Sequence, residues 1–135
     1  MSLVEKPAGI PGAAMLLVDD NAAFREITAL ALGKLGFFVK AYSSGDAALE
    51  SSSMDSRFQL LMTDVIMASM NGIELAERVR LFRPEVKVLF CSGYPRSALL
   101  RNGLDLGRGE FLMKPMSIDA LSAKIQVLLG PAGNP

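Results

Sequence analysis

The feature that most constrains the fold is a regular alternation of short apolar runs with segments patterned at helical spacing. Apolar runs of this kind suit strands that are covered on both faces of a sheet. They span residues 13–18, 37–41, 58–63, 86–90 and 110–113. The segments predicted to be helical are 22–35, 46–53, 72–82, 96–101 and 118–129. With right-handed crossovers, the alternation predicts an α/β domain with a flavodoxin-like (βα)5 parallel sheet of strand order 2-1-3-4-5.

Length and composition indicate one domain. The chain has 135 residues, 50% of them hydrophobic, which is enough for a core without crosslinks. Residues 1–12 hold several prolines and glycines and are expected to be a flexible lead-in, 13–130 to form the domain, and 131–135 to be a short tail. The single cysteine, Cys91, lies in an apolar run and is interpreted as a buried, unreactive thiol. Without a disulfide framework, a cytoplasmic location is expected.

The charge balance and missing motifs remove several functional classes. Lys and Arg total 14, as do Asp and Glu, so we expect no direct binding to nucleic acid. No apolar run approaches the roughly 18 residues that a membrane-spanning helix needs. Histidine is absent, which removes histidine-based catalysis from this chain. Neither a G-x-G-x-x-G motif nor a P-loop is present.

Carboxylates follow the first and third predicted strands. Asp19 and Asp20 follow the first strand, and Asp64 follows the third. These strands are neighbours in the predicted order, and ligand sites form at the carboxyl ends of parallel strands. Carboxylates so close together repel, and a hard divalent cation relieves the repulsion. We therefore predict Mg²⁺ bound by the three carboxylates and the backbone carbonyl of Ile66, although a single strand-end aspartate is more often only a helix cap.

Polar residues also follow the fourth and fifth predicted strands. Lys114 can place an ammonium beside the carboxylates, where it would stabilise a phosphoryl group on Asp64. Ser92 can donate a hydrogen bond to a phosphoryl oxygen. Taken singly, Ser92 is more simply a turn residue, Lys114 a surface charge and Phe111 a core aromatic. Their expected position at one edge of the sheet favours a phosphoacceptor site.

Over about residues 13–130, the chain resembles the receiver domain of two-component response regulators. The motifs that carry the resemblance are the Asp19-Asp20 pair, "DVIMASMNG" from Asp64, "SGY" from Ser92 and "FLMKP" from Phe111. Each motif is weak alone, but their order on the predicted strand ends is specific. The resemblance implies a phosphoacceptor, Asp64, a Mg²⁺-binding pair, and two residues that hold the phosphoryl group, Ser92 and Lys114.

The resemblance also implies a switch and marks three departures from the family pattern. Phe111 matches the aromatic switch residue, but it lacks the hydroxyl of the tyrosine that is frequent there. Ala68 stands where proline is common, so a looser loop after Asp64 is expected. Ile66 is apolar where a polar side chain is common, which would alter water access and the rate of dephosphorylation.

The implied partners are a sensor histidine kinase or a histidine phosphotransfer protein as phosphoryl donor. A downstream protein or a second copy is expected to bind the surface of the fourth helix, fifth strand and fifth helix. "SGY" and "KPMSIDAL" are similar to receivers fused to sensor kinases, so a domain of a hybrid histidine kinase and a stand-alone regulator both remain open.

The chain is not expected to be a conventional enzyme beyond Mg²⁺-dependent self-phosphorylation and dephosphorylation at Asp64. The alternative is a pseudo-receiver that binds proteins without phosphorylation, but such a chain is expected to lack Asp64, Lys114 or an acidic residue. A metal-dependent hydrolase would need a further general acid or base, and the sequence offers none.

Overall fold

In the described residues, five strands alternate with five helices, in the order that the apolar runs predict. The strands are Ala14–Val18 (β1), Phe38–Tyr42 (β2), Leu60–Asp64 (β3), Lys87–Ser92 (β4) and Glu110–Met113 (β5). The helices are Ala22–Lys34 (α1), Gly45–Glu50 (α2), Gly72–Phe82 (α3), Arg96–Arg101 (α4) and Ile118–Leu129 (α5). These elements belong to a computed structural model that describes residues 12–51, 54 and 57–130. The predictions for 1–11, for 131–135 and for a second helix reaching 52–53 lie outside the described residues.

The five strands form one parallel sheet in the order β2-β1-β3-β4-β5, which confirms the flavodoxin-like arrangement. Along β1 and β3, Val18 lies opposite Thr63, so the carboxyl ends of these two strands meet. Along β3 and β4, Asp64 lies opposite Cys91. The residues that follow β1, β3, β4 and β5 therefore share one edge of the sheet, called here the carboxyl edge.

The sheet is buried on both faces because successive side chains point to opposite sides. Leu16 and Leu61 belong to the cluster that packs against α2, α3 and α4. Leu17 and Met62 belong to the cluster that packs against α1 and α5. Full burial of each such side chain contributes about 1.5–3 kcal/mol, so the apolar strands fix the register that positions the carboxyl edge.

Helix α1 does not bury the face that simple spacing suggests. The recurrence of Phe24 and Ile27 at helical spacing in 22–35 predicts that both face the core. Ile27 is instead 69% exposed, and the buried residues of α1 are Thr28 and Leu32. Since α1 carries apolar residues around much of its circumference, its packing against β2 and α5 decides which face is covered.

Strand β2 begins one residue later than predicted, because its pairing with β1 starts at Phe38 opposite Ala14, and Phe37 is buried just before the strand. No helix in the described part of the chain has both the length and the apolar character needed to cross a lipid bilayer.

Candidate functional site

Three carboxylates meet at the carboxyl edge. Asp19 directly follows β1, Asp20 comes next, and Asp64 ends β3. One oxygen atom of each lies within 4.8 Å of the other two. Asp19 is buried at 1% exposure, Asp64 has a side chain 13% exposed, and Asp20 faces solvent. The carboxylates thus form a cluster that is closed at its base and open outward.

Each carboxylate is oriented by a backbone N–H that donates to one of its two oxygens. The donor–acceptor pairs are Asn21 N to Asp19 Oδ1 at 2.9 Å, Ala68 N to Asp20 Oδ2 at 3.2 Å and Val65 N to Asp64 Oδ1 at 3.0 Å. Helix α1 is capped by the side chain of Asn21, so neither preceding aspartate serves as its cap. Neither Asp19 nor Asp20 is therefore used as the cap of α1, which is the simpler interpretation of a single aspartate at a strand end.

The bond from Ala68 changes the expectation for the loop after Asp64. The absence of proline at this position led us to expect a looser loop. Ala68 instead uses its backbone N–H, a donor that proline lacks, to bind Asp20. The loop is therefore tied to the acidic pair by a contact that the more common residue could not make.

Lys114 joins the carboxylates from the end of β5. Its Nζ lies 2.7 Å from Asp19 Oδ2 and 3.6 Å from Asp64 Oδ2. Nζ also lies 4.2 Å from the centroid of the Phe24 ring on α1. The Lys114 backbone N–H donates to the carbonyl of Ser92 at 2.8 Å, and the Lys114–Pro115 peptide bond is cis. The ammonium is thus held between two carboxylates and an aromatic face.

The charges in this cluster perturb one another. Burial is the largest influence on Asp64 and raises its pKa to about 6, with Lys114 acting in the opposite direction and Asp19 adding to the rise. Burial opposes the charge of Lys114, but the hydrogen bond to Asp19 and the nearby Asp64 charge outweigh it and raise the Lys114 pKa. At neutral pH, three carboxylates and one ammonium therefore leave an excess of negative charge in the cluster.

This donor set suits a hard divalent cation. Mg²⁺ prefers oxygen ligands, keeps several waters and is commonly bound by only a few carboxylates. The clustered oxygens and their uncompensated charge fit that preference. Nothing in the cluster offers the nitrogen or thiolate ligands that softer metals select, because the nearby Cys91 thiol is buried within β4.

Ser92 and Phe111 lie on the strands beyond Asp64. Ser92 ends β4, is buried, and accepts a hydrogen bond on Oγ from the Tyr94 N–H at 3.0 Å. This hydrogen bond is the one expected if Ser92 is only a turn residue. It leaves the Ser92 hydroxyl proton free to donate. Phe111 is half-buried on β5, opposite Phe90, and packs against the core cluster on the α3 and α4 side.

Sequence reasoning missed the site contacts of two residues, Phe24 and Arg25, whereas a third supporting residue, Gly72, ends the "DVIMASMNG" motif. Phe24 was assigned to a core stripe and does pack against the core cluster, but its ring also contacts Lys114. Arg25 donates from Nη1 to the backbone carbonyl of Asp19 at 2.8 Å. Gly72, at the start of α3, has no room for a Cβ atom, because that atom would overlap the backbone carbonyl of Asp64. For Phe24 and Arg25 the available signal was their position one helical turn after the acidic pair.

Comparison with known proteins gives a consistent family match. A family model described as the response regulator receiver domain matches residues 15–126. The chain is 34% identical over 128 residues to the sensor kinase CckA of Brucella abortus (strain 2308), covering 93% of this chain and 14% of that protein. It is 32% identical over 115 residues to the response regulator receiver protein CpdR of the same organism, covering 85% of this chain and 95% of that protein.

Solved structures show the same architecture. The chemotaxis protein CheY4 of Vibrio cholerae superposes with a TM-score of 0.77 at 25% identity, over 87% of this chain and 98% of that one. The receiver domain of the hybrid histidine kinase CckA superposes with a TM-score of 0.74 at 28% identity, over 87% of this chain and 100% of that one.

Proposed function

The chain belongs to the response regulator receiver domain family, and from this premise we propose that Asp64 is its phosphoacceptor in two-component signalling. The observation that carries the proposal is the asymmetric environment of the Asp64 carboxylate. Its Oδ1 accepts the Val65 N–H, while its Oδ2 faces the Lys114 ammonium at 3.6 Å. One oxygen is thus fixed, and the other lies beside a cation that would stabilise charge on an incoming phosphoryl group.

Receiver domains of this family interact with histidine kinases or phosphotransfer proteins, and we propose a phosphohistidine on such a partner as the donor. In the transfer, Asp64 Oδ2 attacks phosphorus, an O–P bond forms, and the P–N bond breaks. The imidazole leaves with the electron pair of that bond. Positioning and electrostatic stabilisation supply most of the catalysis in phosphoryl transfer, which suits a site without a general base.

The residues around Asp64 have complementary roles in this proposal. The carboxylates of Asp19, Asp20 and Asp64 and the carbonyl of Ile66 would hold Mg²⁺. When bound, the ion supplies charge neutralisation between the carboxylate and the phosphoryl oxygens. Lys114 would exchange its contact with Asp19 for a phosphoryl oxygen.

We further propose that phosphorylation changes the surface formed by α4, β5 and α5. The Ser92 hydroxyl would donate to a phosphoryl oxygen, and the half-buried Phe111 ring would move inward behind it. Leu100 and Met113 are exposed on this surface, where a downstream protein or a second copy would bind. A coupling of about 1–3 kcal/mol between phosphorylation and binding is typical of such switches.

Two arrangements of the signalling chain fit this proposal. The receiver acts within a hybrid histidine kinase, the class to which CckA belongs, or as a separate regulator of the CpdR kind, in either case in the cytoplasm. Transfer from autophosphorylated kinase to this domain, with and without a phosphotransfer protein, distinguishes the immediate donor.

The primary test is phosphorylation by acetyl phosphate with Mg²⁺, followed by intact-protein mass spectrometry. The wild-type chain is expected to gain one phosphoryl group, and removal of Mg²⁺ with a chelator is expected to abolish the gain. Asp64→Asn should gain none, whereas Asp46→Asn, which changes an exposed carboxylate on α2, should react like wild type. A wild-type chain without an adduct, or an undiminished adduct on Asp64→Asn, would leave the phosphorylation-independent interaction module as the better account.

A further inference from the structure

Two adjoining cavities with basic walls lie at the edge of the sheet opposite Asp64, called here the amino edge. Their volumes are about 460 and 450 Å³, and both are lined by Glu85 and Lys87. The basic residues in their walls are Arg57, Arg80, Arg83, Lys87 and Arg108. The acidic cluster of Asp19, Asp20 and Asp64 lies at the carboxyl edge, so basic and acidic groups are concentrated at opposite edges of the sheet.

Acidic residues at the amino edge only partly offset this charge. Glu110 lines the second cavity, but its Oε1 lies 3.3 Å from the ammonium of Lys124. Glu85 lines both cavities, and Glu77 lies close enough to Arg80 for its charge to act toward raising the Arg80 pKa, so these two acidic side chains face the basic walls. Within the described residues, no hydrogen bond or ion pair engages the side chains of Lys87 and Arg108.

The second cavity exists because β5 is shorter than β4. Strand β4 pairs with β5 only from Leu89 onward, whereas Lys87 and Val88 pair with β3 alone in the described structure. Gly109, with a φ of 114°, packs so closely against the amino end of β4 that an added Cβ would lie 3.1 Å from the Val88 carbonyl oxygen. Lys87 and Val88 thus line the second cavity, with Val88 itself only 1% exposed.

Arg80 lines the second cavity and has one N–H donor without an acceptor in the described part of the chain. Its Nη2 donates to the backbone carbonyl of Arg108 at 3.2 Å, while its Nε is buried without an acceptor among the described residues. Burial, together with the charge of Arg108, lowers the pKa of Arg80. A buried donor beside a second guanidinium is stabilised by a carboxylate, which accepts charge-assisted hydrogen bonds from arginine.

We propose that the amino edge binds an acidic peptide segment of a protein partner. Two adjoining cavities, each with its own basic residues and both lined by Glu85, match a segment with carboxylates at both ends and a neutral or basic residue between them. The apolar wall residues Phe58, Val86 and Leu128 suit side chains between those charges. A nucleic acid fits less well, because its uniform phosphate charge would oppose Glu85 and the chain has no net positive charge to attract it.

The amino edge is separate from the proposed phosphoacceptor site. Asp64 lies at the other end of β3 from Leu60, which pairs with Lys87 at the amino edge. Binding there therefore needs neither Mg²⁺ nor phosphorylation, and the Asp64→Asn chain should bind as wild type does. Failure of this proposal would consequently leave the function of Asp64 untouched.

The test is binding of fluorescently labelled poly-L-glutamate, measured by anisotropy at low and high salt. Wild type is expected to bind at low salt, and the double variant Arg57→Glu/Arg108→Glu to bind about tenfold more weakly. The control Lys40→Glu/Arg101→Glu makes the same charge change at exposed positions on β2 and α4 and should bind like wild type.

Amide chemical-shift mapping of the ¹⁵N-labelled wild-type chain checks the location without any substitution. The largest shifts are expected at Lys87, Val88 and Gly109. Absence of binding at low salt, an equal loss in both double variants, or shifts at the carboxyl edge would overturn the proposal. Equal or tighter binding of a single-stranded oligonucleotide that displaces poly-L-glutamate would overturn the assignment to an acidic peptide.

Discussion

The aromatic face of Phe24 lies 4.2 Å from the ammonium of Lys114, although 90 positions separate the two residues along the chain. An aromatic face attracts the ammonium without offering a lone pair that would compete with a phosphoryl oxygen. Phe24 therefore positions Lys114 beside the carboxylates while leaving its hydrogen-bonding capacity for Asp19 and for an incoming anion.

Replacing Phe24 with leucine should weaken the position of Lys114 and lower the free energy of unfolding. A cation–π contact of this kind contributes about 0.5–2 kcal/mol. Because the substitution also changes packing, the pairwise contribution is measured by a double-mutant cycle with Lys114→Met, using urea denaturation of the four proteins. The expected coupling is about 0.5–1 kcal/mol, whereas additive effects of the two substitutions would show that the ring does not stabilise the ammonium.

The raised pKa of Asp64 predicts a defined pH dependence of stability in the absence of metal. Burial raises this pKa from the ordinary 3.8 to about 6, so the folded chain binds the proton more tightly than the unfolded chain. The resulting contribution to stability is complete below about pH 4 and is lost as the pH rises through about 6. Asp64→Asn removes this titration.

The measurement for Asp64 is urea denaturation of wild type and Asp64→Asn with a chelator at several pH values. The stability of the variant relative to wild type should increase as the pH rises between about 4 and 6, and then level off. Taking the difference cancels the titration of carboxylates that lie too far from Asp64 to interact with it. If the stability of Asp64→Asn relative to wild type instead fell as the pH rises between about 4 and 6, the charge of Lys114 would outweigh the effect of burial on the Asp64 pKa.

The sheet and the carboxyl edge could be predicted from the sequence because few physical rules determine them. Buried parallel strands appear as apolar runs, and their carboxyl ends share one edge. The adjacency of β1 and β3 then follows from the strand order, which is why Asp19, Asp20 and Asp64 were expected together. Lys114 needed only its position after the last strand to be expected there as well.

The contacts that sequence reasoning missed depend on how far a side chain reaches and on which of several apolar faces of a helix becomes buried. Phe24 meets Lys114 only because the Lys114 side chain reaches from the end of β5 to Asp19, just before α1, which no local pattern encodes. Ile27 was expected inside, but α1 has apolar residues on several faces, and Thr28 and Leu32 occupy the buried one. The basic amino edge was missed because its residues come from separate segments, so no run of charge reveals it.

The Cys91 thiol should not react with alkylating reagents while the chain is folded. The thiol is 1% exposed, and burial raises its pKa to about 12, with the charge of Lys114 acting in the opposite direction. Since the thiolate is the reactive form, iodoacetamide near pH 8 should label Cys91 only as fast as the chain unfolds. Labelling rates measured with increasing urea should follow the unfolding transition, and rapid labelling of the native chain would contradict the buried position.

Gly72 should be the glycine near the site that tolerates alanine least. An added Cβ would overlap the Asp64 carbonyl and lie 3.1 Å from the Thr63 side chain, so the start of α3 or the end of β3 would have to move. Forcing extra volume into such a contact costs about 1–3 kcal/mol.

Gly93 provides the matched control for Gly72, since it follows Ser92 at the same edge and a Cβ there meets no heavy atom within 4 Å. Gly93→Ala should leave stability unchanged or raise it slightly, because alanine reduces the entropy of the unfolded chain. In urea denaturation, only Gly72→Ala should lower the midpoint, and its rate of reaction with acetyl phosphate should fall as the Asp64 backbone shifts. Equal midpoints for the two variants would mean that α3 adjusts without disturbing β3, and that Gly72 does not determine where Asp64 lies.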